Sequence, residues 1–425
     1  MLKSMTSGKA LLSGAIEKLL HPAWIKRVVR QSPFKHIESG SLTVTVLGQS
    51  QRFEGAQPGH QAELMICRPL RVYWLLKTQG ELGFAQAYYE GAVETNSLYQ
   101  LMHLAHENSA SFESLLGDKV FNISQLWRHR KRHNSIRNSR RNISYHYDLG
   151  NDFYRLWLDH SMTYSSALFQ AEDESLESGQ HHKYQRILEQ LDLQGGESIL
   201  EIGCGWGGFM EAALKQGCSI KGLTLSTAQQ DFARKRLLGI GKPDSSEVVL
   251  QDYRHETGQY NHIVSIEMFE AVGKEYWDSY FQTLKNSLKQ GGKAVLQVIT
   301  IDEKHAAHYQ QNVDFIQAYI FPGGLLPSLT QLNELAMDHG FEVADCFEFG
   351  RDYAKTCQIW KHEFNRQSER LESLGYDRSF QRLWNYYLDY CTVGFESGHI
   401  SVHQLTLRFS SDVLSAPVEN QHEKD

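Results

Sequence analysis

Ile199-Leu-Glu-Ile-Gly-Cys-Gly-Trp-Gly-Gly208 is the stretch on which the reading of this chain turns. An apolar run carries one acidic residue, Glu201, just ahead of a series of glycines at Gly203, Gly205, Gly207 and Gly208, and a helical pattern follows. A glycine turn between strand and helix lets a ligand approach the backbone where a Cβ would collide. Dinucleotide-binding proteins also use such a turn, and Gly203, Gly205 and Gly208 meet their GxGxxG spacing as well, so the glycines alone do not separate the two and the acidic residue ahead of them has to. A GxG turn led by a glutamate fits a ligand with no phosphate, an amino-acid head group and a sulfonium charge. That chemistry is S-adenosylmethionine; the alternative is a tight turn with no ligand.

Outward from this turn the pattern of strand, glycine turn and helix repeats, which is the signature of a mostly parallel sheet covered on both faces. Strands are expected at Ser198–Ile202, Ser219–Leu225, Glu247–Leu250, His262–Ile266 and Lys293–Ile299, with helices at Gly207–Gln216 and Ala228–Leu238. Open sheets of this kind bind ligands at the carboxyl ends of their strands. There Thr224, Ser226 and Gln229 offer hydrogen bonds to a ribose, and Gln251 and Asp252 to an adenine, although each alone reads equally as a surface group or helix cap. Glu270 follows the next strand, in Ile263-Val-Ser-Ile-Glu-Met-Phe-Glu270, where catalytic groups of such sheets emerge. Helix capping is its bland alternative.

With 425 residues the chain has room for two domains. Its apolar residues are dispersed, and no run approaches the ~20 needed to cross a bilayer as a helix. The N-terminus lacks the pattern of a secretion signal, so a cytoplasmic protein in peripheral contact with the inner membrane face is expected. Six cysteines without CxxC spacing argue against a zinc site or a disulfide scaffold. A net charge of −7 speaks against nucleic-acid binding. The charge is uneven, however: between Lys119 and Tyr147 no acidic residue occurs while Arg128, Arg130, Lys131, Arg132, Arg137, Arg140 and Arg141 cluster. Such a cluster gains on the order of 1 kcal/mol per basic side chain at an anionic bilayer; a solvated linker is the alternative. Residues 1–118 read as a small α+β domain, with a strand at Ser41–Leu47, a helix at Leu98–His106 and an amphipathic first ~30 residues suited to a lipid surface. The expected organisation is that domain, a basic linker over 119–142, and an α/β domain over 143–425.

The segments Ser144-Tyr-His-Tyr-Asp-Leu-Gly-Asn-Asp-Phe-Tyr154, Met162-Thr-Tyr-Ser-Ser-Ala167, Gln251-Asp252-Tyr253, Met268-Phe-Glu-Ala-Val-Gly273, Tyr319-Ile-Phe-Pro-Gly-Gly324 and Tyr386-Tyr-Leu-Asp-Tyr-Cys391 closely resemble, in order, those of the cyclopropane-fatty-acyl-phospholipid synthases. The resemblance spans about 140–410 and implies a Rossmann-like class I methyltransferase domain with a helical cap. It further implies attack by the π electrons of an unsaturated phospholipid acyl chain on the methyl carbon of S-adenosylmethionine, a carbocation, and loss of a proton that closes a cyclopropane. A dry pocket and electron-rich faces would protect the cation, for which Tyr164, Phe269, Tyr276, Tyr319, Phe321, Tyr353 and Trp360 are candidates.

By motif position the resemblance makes Tyr164 and Ser165 cofactor contacts. It makes Glu270, Tyr353 and the backbone of Ile299 part of a site for a bicarbonate base, and it implies a homodimer. Two positions depart from the family's usual residues: Ser166 stands where cysteine is common, and Gln297 where histidine is common. Ala271 likewise replaces a frequent histidine. Neither hydroxyl nor amide can take up the charge of an imidazolium, which opens two alternatives. In one, proton loss from a neighbouring carbon gives a methyl-branched, non-cyclic chain; in the other, the protein is an inactive lipid-binding homologue.

Overall fold

In a computed structural model of the chain, residues 30, 32–109, 112, 149–241 and 243–411 are described. The amphipathic N-terminal segment, the basic cluster and the first part of the Ser144–Tyr154 motif lie outside them. The chain divides into two compact units.

The smaller unit gathers the described N-terminal residues with Val313–Ile320 and Trp360–Ser397. Its sheet has the order β2-β1-β3-β4, where β1 is Ser39–Val46, β2 Gln49–Glu54, β3 Gln57–Ile66 and β4 Val93–Thr95. Alternation along β1 turns Leu42, Val44 and Val46 inward onto Leu64, Leu75 and Leu104. Burying each such side chain stabilises the unit by roughly 1.5–3 kcal/mol. The helix Leu98–Glu107 starts where Ser97 accepts the Gln100 amide, and the helix Arg378–Glu396 starts where Asp377 accepts that of Phe380.

Trp360–Ser397 was expected within the 143–425 domain, but it packs with the N-terminal sheet instead. The reason is Arg382. Its guanidinium donates to the carbonyls of Tyr88 and Val93, pairs with Glu94 at 2.7 Å and lies over the Tyr88 ring at 4.1 Å. Phe315 and Tyr386 pack with ring centroids 4.5 Å apart. The Arg382 contacts join residues nearly 300 positions apart, beyond the reach of local periodicity.

The larger unit is a seven-stranded sheet of order β10-β11-β9-β8-β5-β6-β7. Its strands are β5 Ser198–Ile202, β6 Ser219–Thr224, β7 Ser246–Leu250, β8 Tyr260–Ile266, β9 Leu288–Ile301, β10 Phe341–Glu348 and β11 Ile400–Phe409. β7, β6, β5, β8 and β9 pair in parallel, and β11 runs antiparallel between β9 and β10. Helices such as Leu176–Leu191, Gly208–Lys215, Thr227–Leu238 and Trp277–Ser287 cover it. Two apolar clusters form, one containing Ile199, Phe209, Ile220 and Val264, the other Leu200, Ile263, Phe281 and Leu296. Consecutive residues of β5 and β8 alternate between the clusters, as strands buried on both faces must. Strand order reverses between β5 and β8, and at such a switch point the carboxyl ends of the strands leave a crevice. This is the α/β fold expected from the glycine turn.

Candidate active site

The turn after β5 has its glycines at positive φ: 87° at Gly203 and 50° at Gly205. The two differ in cause. A Cβ on Gly203 would meet Met268 Cγ at 2.8 Å, whereas nothing lies within 4 Å of a Cβ on Gly205. Packing requires the first glycine, and the second borders open space. Glu201, 3% exposed, has one carboxyl oxygen, Oε2, with no hydrogen-bond partner. Burial lifts its pKa to about 8, against the opposing pull of Lys183. A buried acceptor without a donor beside an open glycine suits the cationic amino-acid head of S-adenosylmethionine, so the residues present fit this cofactor.

The flanking candidates gather along the same strand ends. Thr224 Oγ1 donates to Gln229 Oε1 at 2.9 Å, and Ser226 caps its helix through the Gln229 amide. Gln251 donates to Glu256 at 3.0 Å, while Asp252 caps a short turn and pairs with Arg254 at 2.7 Å. Tyr164 packs its ring on Tyr154 and Trp157. Ser165 accepts from Lys183 Nζ at 2.5 Å. Of the aromatic candidates, Tyr319 and Trp360 belong to the smaller unit. Phe269 is core, 1% exposed among Trp277, Tyr280 and Phe281.

At the ends of β8 and β9 two carboxylates stand three residues apart. Glu270 Oε1 accepts the Ile299 amide in a short hydrogen bond, and its Oε2 is shut from solvent without a partner. Burial, reinforced by the charge of Glu267, raises the Glu270 pKa to about 8. Glu267 is saturated by comparison. Its Oε1 accepts from the Ser166 amide at 2.9 Å and from Gln297 Nε2 at 2.7 Å, and its Oε2 accepts from the Tyr353 hydroxyl at 2.5 Å. The register of β8 on β9 pairs Ile266 with Gln297, which sets the amide beside Glu267. Gln404, opposite Gln297 on β11, donates to Gln297 Oε1 at 3.0 Å and so turns its NH2 toward the carboxylate.

Glu267 also sits at φ 50°, a left-handed conformation that costs a residue with a Cβ roughly 1–2 kcal/mol. Burial raises its pKa, while Lys183 and the three donors favour the charged form. Lys183, fully buried in the helix Leu176–Leu191, also donates to Gln180 Oε1 at 2.6 Å, and burial pulls its pKa well below that of a free lysine.

Ser166, Gln297, Ile299, Glu270 and Tyr353, separated by up to 187 positions in the sequence, are thus brought together around two carboxylates. Sequence reasoning missed Glu267 and Lys183. The signals existed: Glu267 lies directly at the end of the β8 run, and Lys183 occupies the same helical face as the buried Gly179, Gln180 and Ile187.

A bicarbonate does not fit here as the family resemblance would place it. The Ser166 amide, Gln297 Nε2, the Tyr353 hydroxyl and the Ile299 amide are already engaged by the protein's own carboxylates, and the Ser166 hydroxyl donates to the Ala167 carbonyl.

Comparison with known proteins gives concordant results. The family model described as mycolic acid cyclopropane synthetase matches residues 134–405. The chain is similar to a tuberculostearic acid methyltransferase of Mycobacterium tuberculosis, with 34% identity over 83% of this chain and 84% of that protein. It is also similar to the cyclopropane-fatty-acyl-phospholipid synthase of Escherichia coli, with 38% identity over 65% of this chain and 68% of that protein. Among solved structures, that of a mycolic acid cyclopropane synthase complexed with SAH and CTAB matches with a TM-score of 0.60 and 32% identity, covering 63% of this chain and 97% of that one.

Proposed function

From the premise that the chain belongs to the mycolic acid cyclopropane synthetase family, and is an S-adenosylmethionine-dependent methyltransferase of the cyclopropane-synthase type, we propose that it methylates the double bond of unsaturated phospholipid acyl chains and closes a cyclopropane there. The observation that carries this reading is the pair of buried carboxylates, Glu267 and Glu270, at the β8 and β9 ends, beside a glycine turn whose own carboxylate is unpartnered.

The bound cofactor supplies an electrophilic methyl group. The remaining work falls to this chain. Glu201 and the open backbone at Gly205 hold and orient the cationic head. The carboxylates stabilise positive charge on the acyl chain, since oppositely charged groups fixed in a dry site act without reorganisation. Burial around them excludes the water that would capture a carbocation.

A second reading, methyl transfer without ring closure, is favoured by Ser166, Gln297 and Ala271 and by the likeness to a tuberculostearic acid methyltransferase. Lipid-surface contact is supported by the helix Pro69–Tyr89, on which Tyr73 and Trp74 are 65% and 52% exposed close to Arg71 and Lys77. It is further supported by the basic run from Lys119.

The test is incubation with unsaturated phospholipid vesicles and cofactor carrying a trideuterated methyl. Two retained deuteriums with loss of the vinylic protons are expected for ring closure. Three deuteriums with a surviving chain alkene would select methyl branching instead, and no label in lipid would overturn the whole reading.

A further inference from the structure

We propose that the Glu267 carboxylate is this enzyme's own base, occupying the place of an external bicarbonate. The inference rests on the function proposed above. The donors that an exogenous anion would need converge on this one side chain: the Ser166 amide, Gln297 Nε2 and the Tyr353 hydroxyl, at 2.9, 2.7 and 2.5 Å. The fourth, the Ile299 amide, is spent on Glu270.

Two independent features show that the arrangement is built. Gln297 is fully buried and its amide is oriented by Gln404, itself fully buried and donating across β9 and β11. The backbone of Glu267 is held at φ 50°, a conformation glycine adopts freely and a glutamate only when its surroundings hold it there. A strained residue whose side chain satisfies a complete set of donors is a retained device rather than an accident of packing.

The oxygens of Glu267 are unequal. Oε1 accepts two donors and Oε2 one, so Oε2 keeps the free lone pair. In the transfer, the alkene π pair forms the new bond to the methyl carbon, and the pair of the broken C–S bond stays on sulfur. The other alkene carbon is left positive. Glu267 Oε2 then takes a proton from the transferred methyl, and the released C–H pair closes the ring. If the proton instead comes from an adjacent chain carbon, the pair forms a new double bond. In both cases the proton ends on Glu267, and charge balances without any further reactant. The departure at Gln297 follows: a carboxylate fixed in the protein needs a neutral donor to hold it, and no imidazolium to attract a free anion. Ser166 contributes its backbone amide, which any residue there would supply, and its hydroxyl donates to the Ala167 carbonyl.

The experiment uses the full chain with the three variants Glu267→Gln, Glu267→Asp and Glu267→Gly, the last being compatible with the positive φ. Binding of 13C-bicarbonate is followed by NMR, and methyl transfer to unsaturated phospholipid vesicles is followed with and without bicarbonate. Wild-type protein is expected to bind no bicarbonate and to turn over equally in carbonate-depleted and supplemented buffer. Glu267→Gln should lose about 100-fold in turnover, the scale of a general base, with unchanged affinity for S-adenosylhomocysteine. Glu267→Asp should recover part of that loss. Glu267→Gly should bind bicarbonate and recover activity with it. Stoichiometric bicarbonate binding by the wild type would overturn the inference whether or not the enzyme acts on lipid, as would full activity of Glu267→Gln. Absence of transfer by wild-type protein that also binds no bicarbonate would instead remove the proposed function, and with it the role of Glu267 as a base.

Discussion

Two strand ends of the same sheet each bury a carboxylate, and they have been completed in opposite ways. At the end of β5, Glu201 keeps an oxygen with no partner close to a glycine that faces open space. After β8, Glu267 is met by three donors from three separate segments of the chain. A buried acceptor left unmatched costs free energy until something supplies the missing donor; one with donors on both oxygens is held in place by the protein itself. In the proposed reading the first end is a socket for an outside cation, and the second is machinery. Glu270 lies between the two conditions, one oxygen held by Ile299 and the other unpartnered.

Changing the machinery should have the largest effect. Glu270→Gln keeps the shape but removes the ability to ionise as positive charge develops, and we expect turnover to fall by about 1,000-fold, within the range for a group that acts on developing charge. Affinity for S-adenosylhomocysteine, measured by calorimetry, should stay nearly unchanged, and retained turnover would remove Glu270 from the mechanism. Changing the socket should act on binding instead. Gly205→Val puts a side chain into the open space at a φ that valine avoids, and calorimetry should show cofactor affinity weakened by about 100-fold or more, equivalent to roughly 2.7 kcal/mol.

The smallest effect is on stability. Glu201 and Glu270, with ordinary carboxyl values of 4.5, are both held near 8 in the folded cofactor-free protein. Between those values the folded state binds more protons than the unfolded state. Their contribution is thus complete below about pH 4.5 and is lost as pH rises through about 8. Thermal unfolding between pH 5 and 8.5 should show stability falling across that window, with a shallower slope in Glu201→Gln and in Glu270→Gln. Saturating S-adenosylhomocysteine should flatten the wild-type slope, because its ammonium would pair with Glu201 as a carboxylate. A slope unaffected by either variant would mean that these carboxyls are not held protonated.

The parallel sheet was legible because its signals are local. The apolar run of β5, the glycines behind it and the periodicity of Thr227–Leu238 each lie within a dozen residues, and the structure places these elements within a residue or two of where periodicity puts them. Glu201 and Glu270 were visible for the same reason, as acidic residues next to strand ends. The grouping of Trp360–Ser397 with the N-terminal sheet was not legible, since Arg382 and its partners Tyr88, Val93 and Glu94 share no sequence neighbourhood. Ser226 and Asp252 read as ligand contacts and as caps alike, and in the fold both cap.

The sequence by itself determined the α/β class, the cofactor turn, the family and most of the residues at the site, because each depends on chain-local spacing or on motifs in order. Only the tertiary structure decided that Ser166, Gln297 and Tyr353 share one acceptor, and that the acceptor is Glu267. Hydrogen bonds to one carboxylate from a loop amide, a strand side chain and a helix side chain are set by strand register and packing, and a pattern along the chain carries no record of which distant donor will meet which carboxylate.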